Sequence, residues 1–279
     1  MAIIPRGYFD ATVAIGVKTS SNAFAWCASG FFVGRPENEK LCSVYLITNR
    51  HVVENLDRIW IQVNSNSGIK QYDCLLRKGN ERYYSIHPTD DVVAIRVDIN
   101  NAVNEGAEMN YFNLDSNALS LVQMKSTGIA EGCLIYTLGF PVGVSGSDRF
   151  IVDNMYKSPL VRIGCISKIE NTYHSRSNKA YLIDSTVFPG NSGGPVINRP
   201  EFTSLTNTLS NTSTSLIGIV SAYLPYQETL RSCQTGRNRT ITEENSGLTI
   251  VYPVDSIKVV VELERQRTIA IQNDKPAST

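Results

Sequence analysis

Short apolar segments alternate with turn residues along most of this chain, and this pattern indicates its fold class. The segments are rich in Val, Ile, Tyr and Phe, the residue types that favour a pleated strand. They recur at residues 12–17, 43–48, 59–63, 92–97, 134–138, 181–183 and 216–221. Because no 3.6-residue period is sustained through this part of the chain, the pattern predicts an all-β protein.

A helical period is found only near the C-terminus. The residues that would share one helix face there are Ile257, Val260, Val261 and Glu264. Either Asp255 or Ser256 could act as the N-cap. The valines at 259–261 would equally suit a strand, so the spacing alone leaves open both a strand and a short C-terminal helix from residue 255, followed by a polar tail to residue 279.

The polar stretches divide the chain into candidate structural units. At 279 residues, the chain is long enough for two β-barrels that share an interface within a single domain. We expect an N-terminal barrel over about residues 8–100, a linker over 101–130 and a C-terminal barrel over 131–254. Two further polar segments, 199–215 and 227–246, are interpreted as long loops that are either lids or disordered.

Composition narrows the classes of partner. Lys plus Arg and Asp plus Glu are both 26, so the net charge is zero and no basic stripe indicates nucleic acid or anionic lipid. The longest apolar runs fall short of the roughly 18 residues of a membrane span, and no secretion leader is recognised. Six cysteines could form three disulfides, but several lie within apolar runs, where a reduced thiol acts as a small hydrophobe. We therefore expect a soluble, cytoplasmic protein with reduced thiols.

The run from Phe188 to Pro195 is the strongest chemical signal, because it puts Ser192 on a turn that contains three glycines. Acyl transfer turns the attacked carbonyl oxygen into an oxyanion, which free backbone N–H groups can stabilise. The N–H groups of Gly190 and Ser192 are the candidates for this oxyanion hole. Ser192 is therefore the candidate nucleophile.

A serine nucleophile needs a general base and an acid that orients the base. His51 follows the apolar run 44–47, and Asp91 directly precedes the apolar run 92–95. His87 and His174 are rivals for His51, but both lie in polar surroundings. Asp90 is a rival for Asp91; the family resemblance given next implies an aspartate immediately before the apolar run, which selects Asp91, and Asp90 is then interpreted as a solvated neighbour.

The histidine, aspartate and serine motifs, taken in this order, resemble those of trypsin-like (chymotrypsin-fold) serine proteases, most closely the protease domain of the HtrA family. Further similar segments, together covering about residues 12–265, lie at 28–33, 131–143, 164–167 and 247–253. The resemblance implies a double six-stranded Greek-key barrel with a short C-terminal helix. HtrA proteases usually continue into PDZ domains, for which this sequence leaves no room, so we expect no regulation of that type.

The resemblance also implies roles for pocket residues. Ser221 lies on the strand that would pair with the substrate and would support the triad aspartate. Thr186 would lie at the base of the specificity pocket, where its neutral side chain disfavours Lys or Arg in the substrate. Tyr223 would narrow the entrance and favour small or aliphatic residues, unless its ring turns outward. Asn191 replaces the aspartate that pairs with a new amino terminus in secreted relatives, so we expect no N-terminal processing.

The resulting hypothesis is a serine endopeptidase that acts on proteins or peptides and uses no metal or cofactor, since Cys-x-x-Cys and His-x-x-x-His spacings are absent from the sequence. A catalytically silent protease-fold module that binds peptides or partner proteins is the alternative. An esterase with the same triad is less consistent with the sequence, which lacks a Gly-x-Ser-x-Gly nucleophile elbow. A regulatory protein partner is possible, and the sequence leaves the oligomeric state open.

Overall fold

The computed structural model describes residues 4–39, 41–142, 157–175, 179–201, 208–209 and 211–273. Some sequence predictions lie outside these residues. They concern Gly143 at the end of the 131–143 motif, much of the loop predicted at 199–215, and the tail 274–279.

The first half of the chain is built mainly from strands. Its elements are α1 (Arg6–Asp10), β1 (Thr12–Lys18), β2 (Phe24–Pro36), β3 (Cys42–Thr48), α2 (Arg50–Val53), β4 (Arg58–Ser65), β5 (Gly68–Leu75), β6 (Arg77–Lys78), β7 (Glu81–Arg82), β8 (Ser85–Ile86), β9 (Val93–Val97), α3 (Asn100–Asn104), β10 (Ala107–Glu108) and β11 (Phe112–Asn113). All but β6 and β7 of these strands form one nine-stranded sheet in the order β10-β4-β1-β2-β3-β9-β8, with β5 also paired to β4 and β11 to β2.

The central strands of this sheet are apolar on both faces because each face is buried in a different core. On β2, the side chain of Phe32 packs inside the first sheet with residues of β4 and β9. Its neighbours Phe31 and Val33 point the other way, into a core shared with the second half of the chain and the C-terminal helix. Alternate residues of a strand face opposite sides, so a continuous apolar run fills both cores.

The second half forms a closed barrel and a long helix. Its elements are α4 (Leu121–Ser126), β12 (Leu134–Gly139), β13 (Leu160–Lys168), α5 (Glu170–His174), β14 (Tyr181–Asp184), β15 (Pro195–Asn198), β16 (Leu216–Arg231), β17 (Asn238–Pro253) and α6 (Val254–Asn273). The barrel closes in the order β12-β13-β14-β17-β16-β15 around a core that includes Ile135, Tyr181 and Val251. The all-β class predicted from the sequence is confirmed.

Helix α6 attaches the end of the chain to the first half of the molecule. Ile257, Val260, Val261 and Glu264 are all buried, as their spacing predicts. The helix begins earlier and is longer than expected, with 20 residues. Both proposed cap residues lie within the first turn of the helix, and their side chains bond to other segments: the Asp255 carboxylate accepts the N–H of Leu121, and Ser256 donates to Asp90.

Glu264 is a fully buried carboxylate on α6, and it is neutralised within the helix. Arg267 donates to both of its oxygens, at 2.6 and 2.8 Å, and the Ser85 hydroxyl donates a third hydrogen bond at 2.8 Å. A buried charge is tolerated only when it is paired and hydrogen-bonded, and these three contacts meet both requirements. They join α6 to the edge strand β8.

The segment 227–246, interpreted above as a loop, is instead the outer part of a long antiparallel hairpin of β16 and β17. The loop interpretation was wrong because both faces of this ribbon are exposed, so the strands show no alternation of buried and exposed positions. The predicted linker 101–130 also contains secondary structure. Strands β10 and β11 join the first sheet, and helix α4 lies within the linker segment.

All six cysteines lie in the described part of the chain, and each is free. Cys74 is buried, and its burial raises the pKa of the thiol to about 12. Among the described residues, none of the helices is both long enough and apolar enough to cross a membrane.

Candidate active site

His51 lies on the short helix α2, directly after β3 enters the interface between the two halves. Thr48, the last residue of β3, is fully buried and its hydroxyl donates to the backbone oxygen of Ser29, which fixes where the strand ends. Asn49 then adopts an extended conformation before the helix, and its side-chain amide donates to the backbone oxygen of Asp91 at 2.8 Å. These contacts bring the loop before β9 against α2.

Asp91 holds His51 through two hydrogen bonds. His51 Nδ1 lies 2.6 Å from Asp91 Oδ2, and the backbone N–H of His51 donates to Asp91 Oδ1 at 3.0 Å. With Nδ1 bonded to the carboxylate, Nε2 is the ring nitrogen that remains for a reacting group. The imidazole side chain is about half exposed, so this nitrogen is accessible from solvent.

The pair shifts the ionisation of both partners. The hydrogen bond that His51 donates to Asp91, together with the charge of Asp91, raises the pKa of His51 above its ordinary value despite an opposing effect of burial. Burial raises the pKa of Asp91, but the hydrogen bonds and charge of His51 outweigh it and lower the pKa overall. Asp91 therefore stays ionised and stabilises the imidazolium.

Ser221 supports the carboxylate from the second half of the molecule. Its hydroxyl donates to Asp91 Oδ2 at 3.0 Å, and the residue is buried on β16. The aspartate thus receives hydrogen bonds from both halves. This contact agrees with the supporting role expected for Ser221.

The rival residues are engaged elsewhere. Asp90 is not a solvated neighbour, as we had expected; its carboxylate accepts from Ser256 on α6 and from Thr89, and its side chain is only 15% exposed. The His87 ring accepts the backbone N–H of Asp90 within the same loop. His174 ends α5 and bonds to Glu170.

Ser192 lies in the second of two consecutive turns. The N–H of Asn191 donates to Phe188 O at 3.0 Å, with Gly190 at φ +99° inside the turn. The second turn, closed by the N–H of Gly194 on Asn191 O, contains Ser192 and Gly193, the latter at φ +85°. Only glycine readily adopts these positive φ values, which explains the glycine spacing.

Three backbone hydrogen bonds fix the serine turn between the halves. The N–H of Ser29, on β2, donates to Ser192 O at 2.9 Å. The N–H of Gly193 donates to Val220 O, and the N–H of Val220 donates to Gly194 O, both at 2.9 Å. Val220 directly precedes Ser221, so the turn that carries the serine lies next to the residue that supports Asp91.

No side chain binds the Ser192 hydroxyl in the described part of the chain, and the residue is half-buried. The backbone N–H groups of Gly190 and Ser192 likewise have no acceptor among the described residues. Catalytic hydrogen bonds are often long in the absence of substrate, so the free hydroxyl is compatible with a nucleophile. Two free N–H groups on a fixed turn are what an oxyanion requires.

Ser29 is a residue of the site that the sequence interpretation missed. It is fully buried; its hydroxyl donates to Gly190 O at 2.6 Å and accepts the N–H of Phe140 at 2.8 Å. Its hydroxyl therefore links the turn at Gly190 to the segment at Phe140, which follows β12. The motif 28–33 was noted for its resemblance only, and no local signal marked this serine.

The proposed pocket residues lie around the base of the β16–β17 hairpin. Thr186 is exposed. The side-chain amide of Asn245, on β17, donates to the backbone oxygen of the next residue, Val187, at 2.7 Å. Tyr223 is 36% exposed and pairs with Thr249 across the hairpin. Phe188 is also exposed, with the Arg162 guanidinium 5.0 Å from the ring centre.

A large cavity in the described part of the chain lies away from this site. It has a volume of about 960 Å³ and lies in the first half between β5, β9 and α6, with Tyr72, Cys74 and Arg267 among its lining residues. Within the described ranges, no cluster of three or more His, Cys, Asp or Glu side chains could hold a metal ion.

Comparison with known proteins places this geometry in a family. The family model described as the trypsin-like peptidase domain matches residues 28–201, well over half of the chain. The chain belongs to the trypsin-like peptidase family. All three candidate catalytic residues, His51, Asp91 and Ser192, fall within the matched region. The predicted chymotrypsin-like fold with a C-terminal helix is confirmed.

Two further comparisons were made. The chain is similar to the crystal structure of the MamO protease domain from Magnetospirillum magneticum in its apo form, at 18% identity, 91% coverage of this chain, 97% coverage of that chain and a TM-score of 0.49. No curated protein matches the chain.

Proposed function

We propose that this trypsin-like peptidase domain is an active serine endopeptidase with Ser192 as nucleophile, His51 as general base and Asp91 as the orienting acid. The observation that supports this most directly is the 2.6 Å contact between His51 Nδ1 and Asp91 Oδ2. It holds the imidazole in the tautomer that leaves Nε2 free to accept a proton.

In the proposed reaction, His51 accepts the Ser192 proton as the hydroxyl attacks the substrate carbonyl. The negative charge that develops on the carbonyl oxygen is stabilised by the N–H groups of Gly190 and Ser192, which have no competing acceptor in the described structure. His51 then donates the proton to the leaving amine, and water releases the acyl group by the same path in reverse. Asp91 stabilises the imidazolium in both steps.

Protein or peptide substrates with small or aliphatic residues before the scissile bond belong to this proposal. Thr186 supplies no counter-charge for Lys or Arg, and Tyr223 lies on β16 just beyond the supporting Ser221. Asn191 is buried and uncharged at the position next to the nucleophile, so activation by a new amino terminus is not part of the proposal.

A cytoplasmic location is also part of this proposal. The free thiols of Cys27 and Cys233 are exposed, and exposed reduced thiols are best preserved in a reducing compartment. Fractionation of the source cells followed by immunoblotting would test the location, and recovery of the protein outside the cytoplasm would contradict it.

Labelling with a fluorophosphonate tests the catalytic proposal, since this reagent reacts with an activated serine. We expect the wild-type protein to be labelled and to cleave casein. Ser192→Ala should abolish both, with turnover reduced by about 10⁴ to 10⁶-fold. The control is Ser126→Ala, which alters an exposed serine at the end of α4. A wild-type protein that is neither labelled nor active would favour the silent binding module instead.

A further inference from the structure

The outer part of the β16–β17 hairpin projects from the barrel with its paired residues exposed, and at its base the Asn245 side-chain amide donates to Val187 O. We call residues 225–245 the projecting hairpin. Its two strands pair with each other from Pro225↔Asn245 to Arg231↔Asn238, and every residue of the paired segments is exposed or partly exposed. A two-stranded ribbon is marginally stable alone in water, so this one stands to gain from a further strand.

One edge of the projecting hairpin offers such a pairing site. On its side away from β16, β17 pairs with β14 only at Leu248–Val251. The same edge from Asn238 to Ser246 has no strand partner in the described part of the chain. Unpaired edge strands present rows of N–H and C=O groups that pair readily with another chain.

The side chains along this edge are symmetric about Ile241 in polarity, with opposite charges at the two ends. The sequence reads Arg239, Thr240, Ile241, Thr242, Glu243, with a cation at one end and an anion at the other. Arg239 has no ion pair among the described residues, and Ile241 is 61% exposed. Glu243 accepts one hydrogen bond, from Gln227 across the hairpin at 2.5 Å.

We propose that this edge is a self-association surface, on which a second copy of the chain pairs its own β17 edge in antiparallel orientation about a two-fold axis at Ile241. In a two-fold sheet, residues that face each other must differ by an even number, because only then do their side chains share a face. Centring the axis on Ile241 puts Arg239 opposite Glu243 of the second copy, and the reverse. Thr240 then faces Thr242, and Ile241 faces its own equivalent.

The register with the axis at Ile241 gives more favourable side-chain pairs than the registers centred one residue to either side. Opposite charges and paired threonines stabilise a sheet when they lie directly across from one another. An axis at Thr240 would put Ile241 opposite Arg239, and an axis at Thr242 would put Ile241 opposite Glu243. Of these three axes, only the one at Ile241 pairs each charged side chain with an opposite charge and the isoleucine with an isoleucine.

The other edge of the projecting hairpin is poorly suited to the same pairing. An axis at Glu228 on β16 sets two glutamates against each other, which is unfavourable. An axis at Thr229 sets Glu228 against Leu230. The charge pattern therefore selects the β17 edge.

The proposed dimer is weak and concentration-dependent, because one short strand pair buries less area than a standard interface. Two strand pairs then form a four-stranded sheet across the two copies. Since the charged pairs are exposed to solvent, salt should weaken the dimer.

Sedimentation velocity on the purified full chain, from micromolar to millimolar concentration, tests the proposal without any assay of activity. The wild-type chain should show a reversible monomer–dimer equilibrium. Arg239→Glu or Glu243→Arg alone sets like charges opposite each other twice, so each should raise the dissociation constant about tenfold or more. The matched control is Arg231→Glu, which reverses a charge on the other strand of the same hairpin and should leave the equilibrium unchanged.

Charge exchange makes the test specific to two-fold pairing. The double variant Arg239→Glu/Glu243→Arg should recover dimerisation, and an equimolar mixture of the two single variants should form a mixed dimer although neither associates alone. Circular dichroism of each variant checks that it is folded. A wild-type chain that is monomeric up to millimolar concentration would overturn the proposal, as would a dimer that neither single reversal weakens. Because the readout is mass, a failure here is separate from a failure of the catalytic proposal.

Discussion

The Ser29 hydroxyl donates to the backbone oxygen of Gly190 at 2.6 Å, across a separation of 161 residues. The bond orients the peptide unit that follows Gly190, next to the N–H that we assign to the oxyanion hole. Ser29 also accepts the N–H of Phe140 and binds Ser192 O through its own N–H. One buried residue of the first sheet thus contacts two segments of the second half of the molecule, the one at Phe140 and the turn that contains Gly190 and Ser192.

Ser29→Ala should therefore lower kcat by about tenfold while KM changes little, because the oxyanion turn loses a hydrogen bond that fixes it. The unsatisfied buried groups should also cost about 1–3 kcal/mol of unfolding free energy. Peptide hydrolysis kinetics and urea denaturation measure the two effects. Ser85→Ala is the control, since it removes a buried hydroxyl that bonds to Glu264 rather than to a residue of the candidate site, and it should reduce stability alone. An equal kcat loss in both variants would argue against a positioning role for Ser29.

The rate of peptide hydrolysis should decrease as the pH is lowered through the pKa of His51, since the proposed base acts only when neutral. The Asp91 hydrogen bond and charge raise this pKa, so the acid limb should lie above the pH expected for an ordinary histidine. Asp91→Asn should move the acid limb to lower pH and decrease the plateau of kcat by about 10⁴-fold.

Asp90→Asn provides the control for this profile, because Asp90 bonds to Ser256 and Thr89 rather than to His51. It should leave the acid limb where it is. An Asp91→Asn limb that stays in place would show that another group sets the pH dependence.

A peptide library should reveal preference for Ala, Val or Leu before the scissile bond and poor cleavage after Lys or Arg, because Thr186 is uncharged. Tyr223→Gly should increase cleavage after Phe by about tenfold, if the tyrosine ring restricts the pocket. Tyr226→Gly, a matched change three residues along the same strand, should leave the profile unaltered. Strong preference of the wild-type protein for Arg would contradict the role given to Thr186.

Glu264→Ala should decrease stability by about 3 kcal/mol, because it leaves the Arg267 guanidinium and the Ser85 hydroxyl without their shared partner. Chemical denaturation measures this loss. The Glu264 carboxylate bonds to Arg267 and Ser85 rather than to a residue of the candidate site, so kcat at a temperature where the variant is folded should be unaffected. Retention of full stability would mean that solvent replaces the carboxylate at little cost.

Local sequence was sufficient for the parts of the site that depend on short motifs. The glycines around Ser192 are required by positive φ angles, and Asp91 precedes a buried strand, so both could be located from neighbouring residues. The function of Ser29 could not be found this way, because its hydroxyl partners are 111 and 161 residues away. The residues next to Ser29 in the sequence do not indicate which groups its hydroxyl will contact.

The outer hairpin was missed for a different physical reason. Strand prediction relies on the alternation of buried and exposed positions, and a ribbon exposed on both faces has none. The β-branched residues Thr229, Thr240 and Ile241, on either side of a turn with Gly236 at φ +65°, were the remaining signal. The length of α6 was underestimated for a similar reason, since its last turns carry no buried apolar face.

The contacts of Ser29 also have a consequence for the synthesis of the protein. Its strand leaves the ribosome long before Gly190 and Ser192 exist, so neither the oxyanion turn nor the triad can be assembled until the second barrel has folded onto the first. Under the proposed function, a complete chain whose second barrel has not yet folded onto the first would carry every catalytic side chain and yet be unable to hydrolyse its neighbours. Proteolytic activity would then arise only with the completed fold.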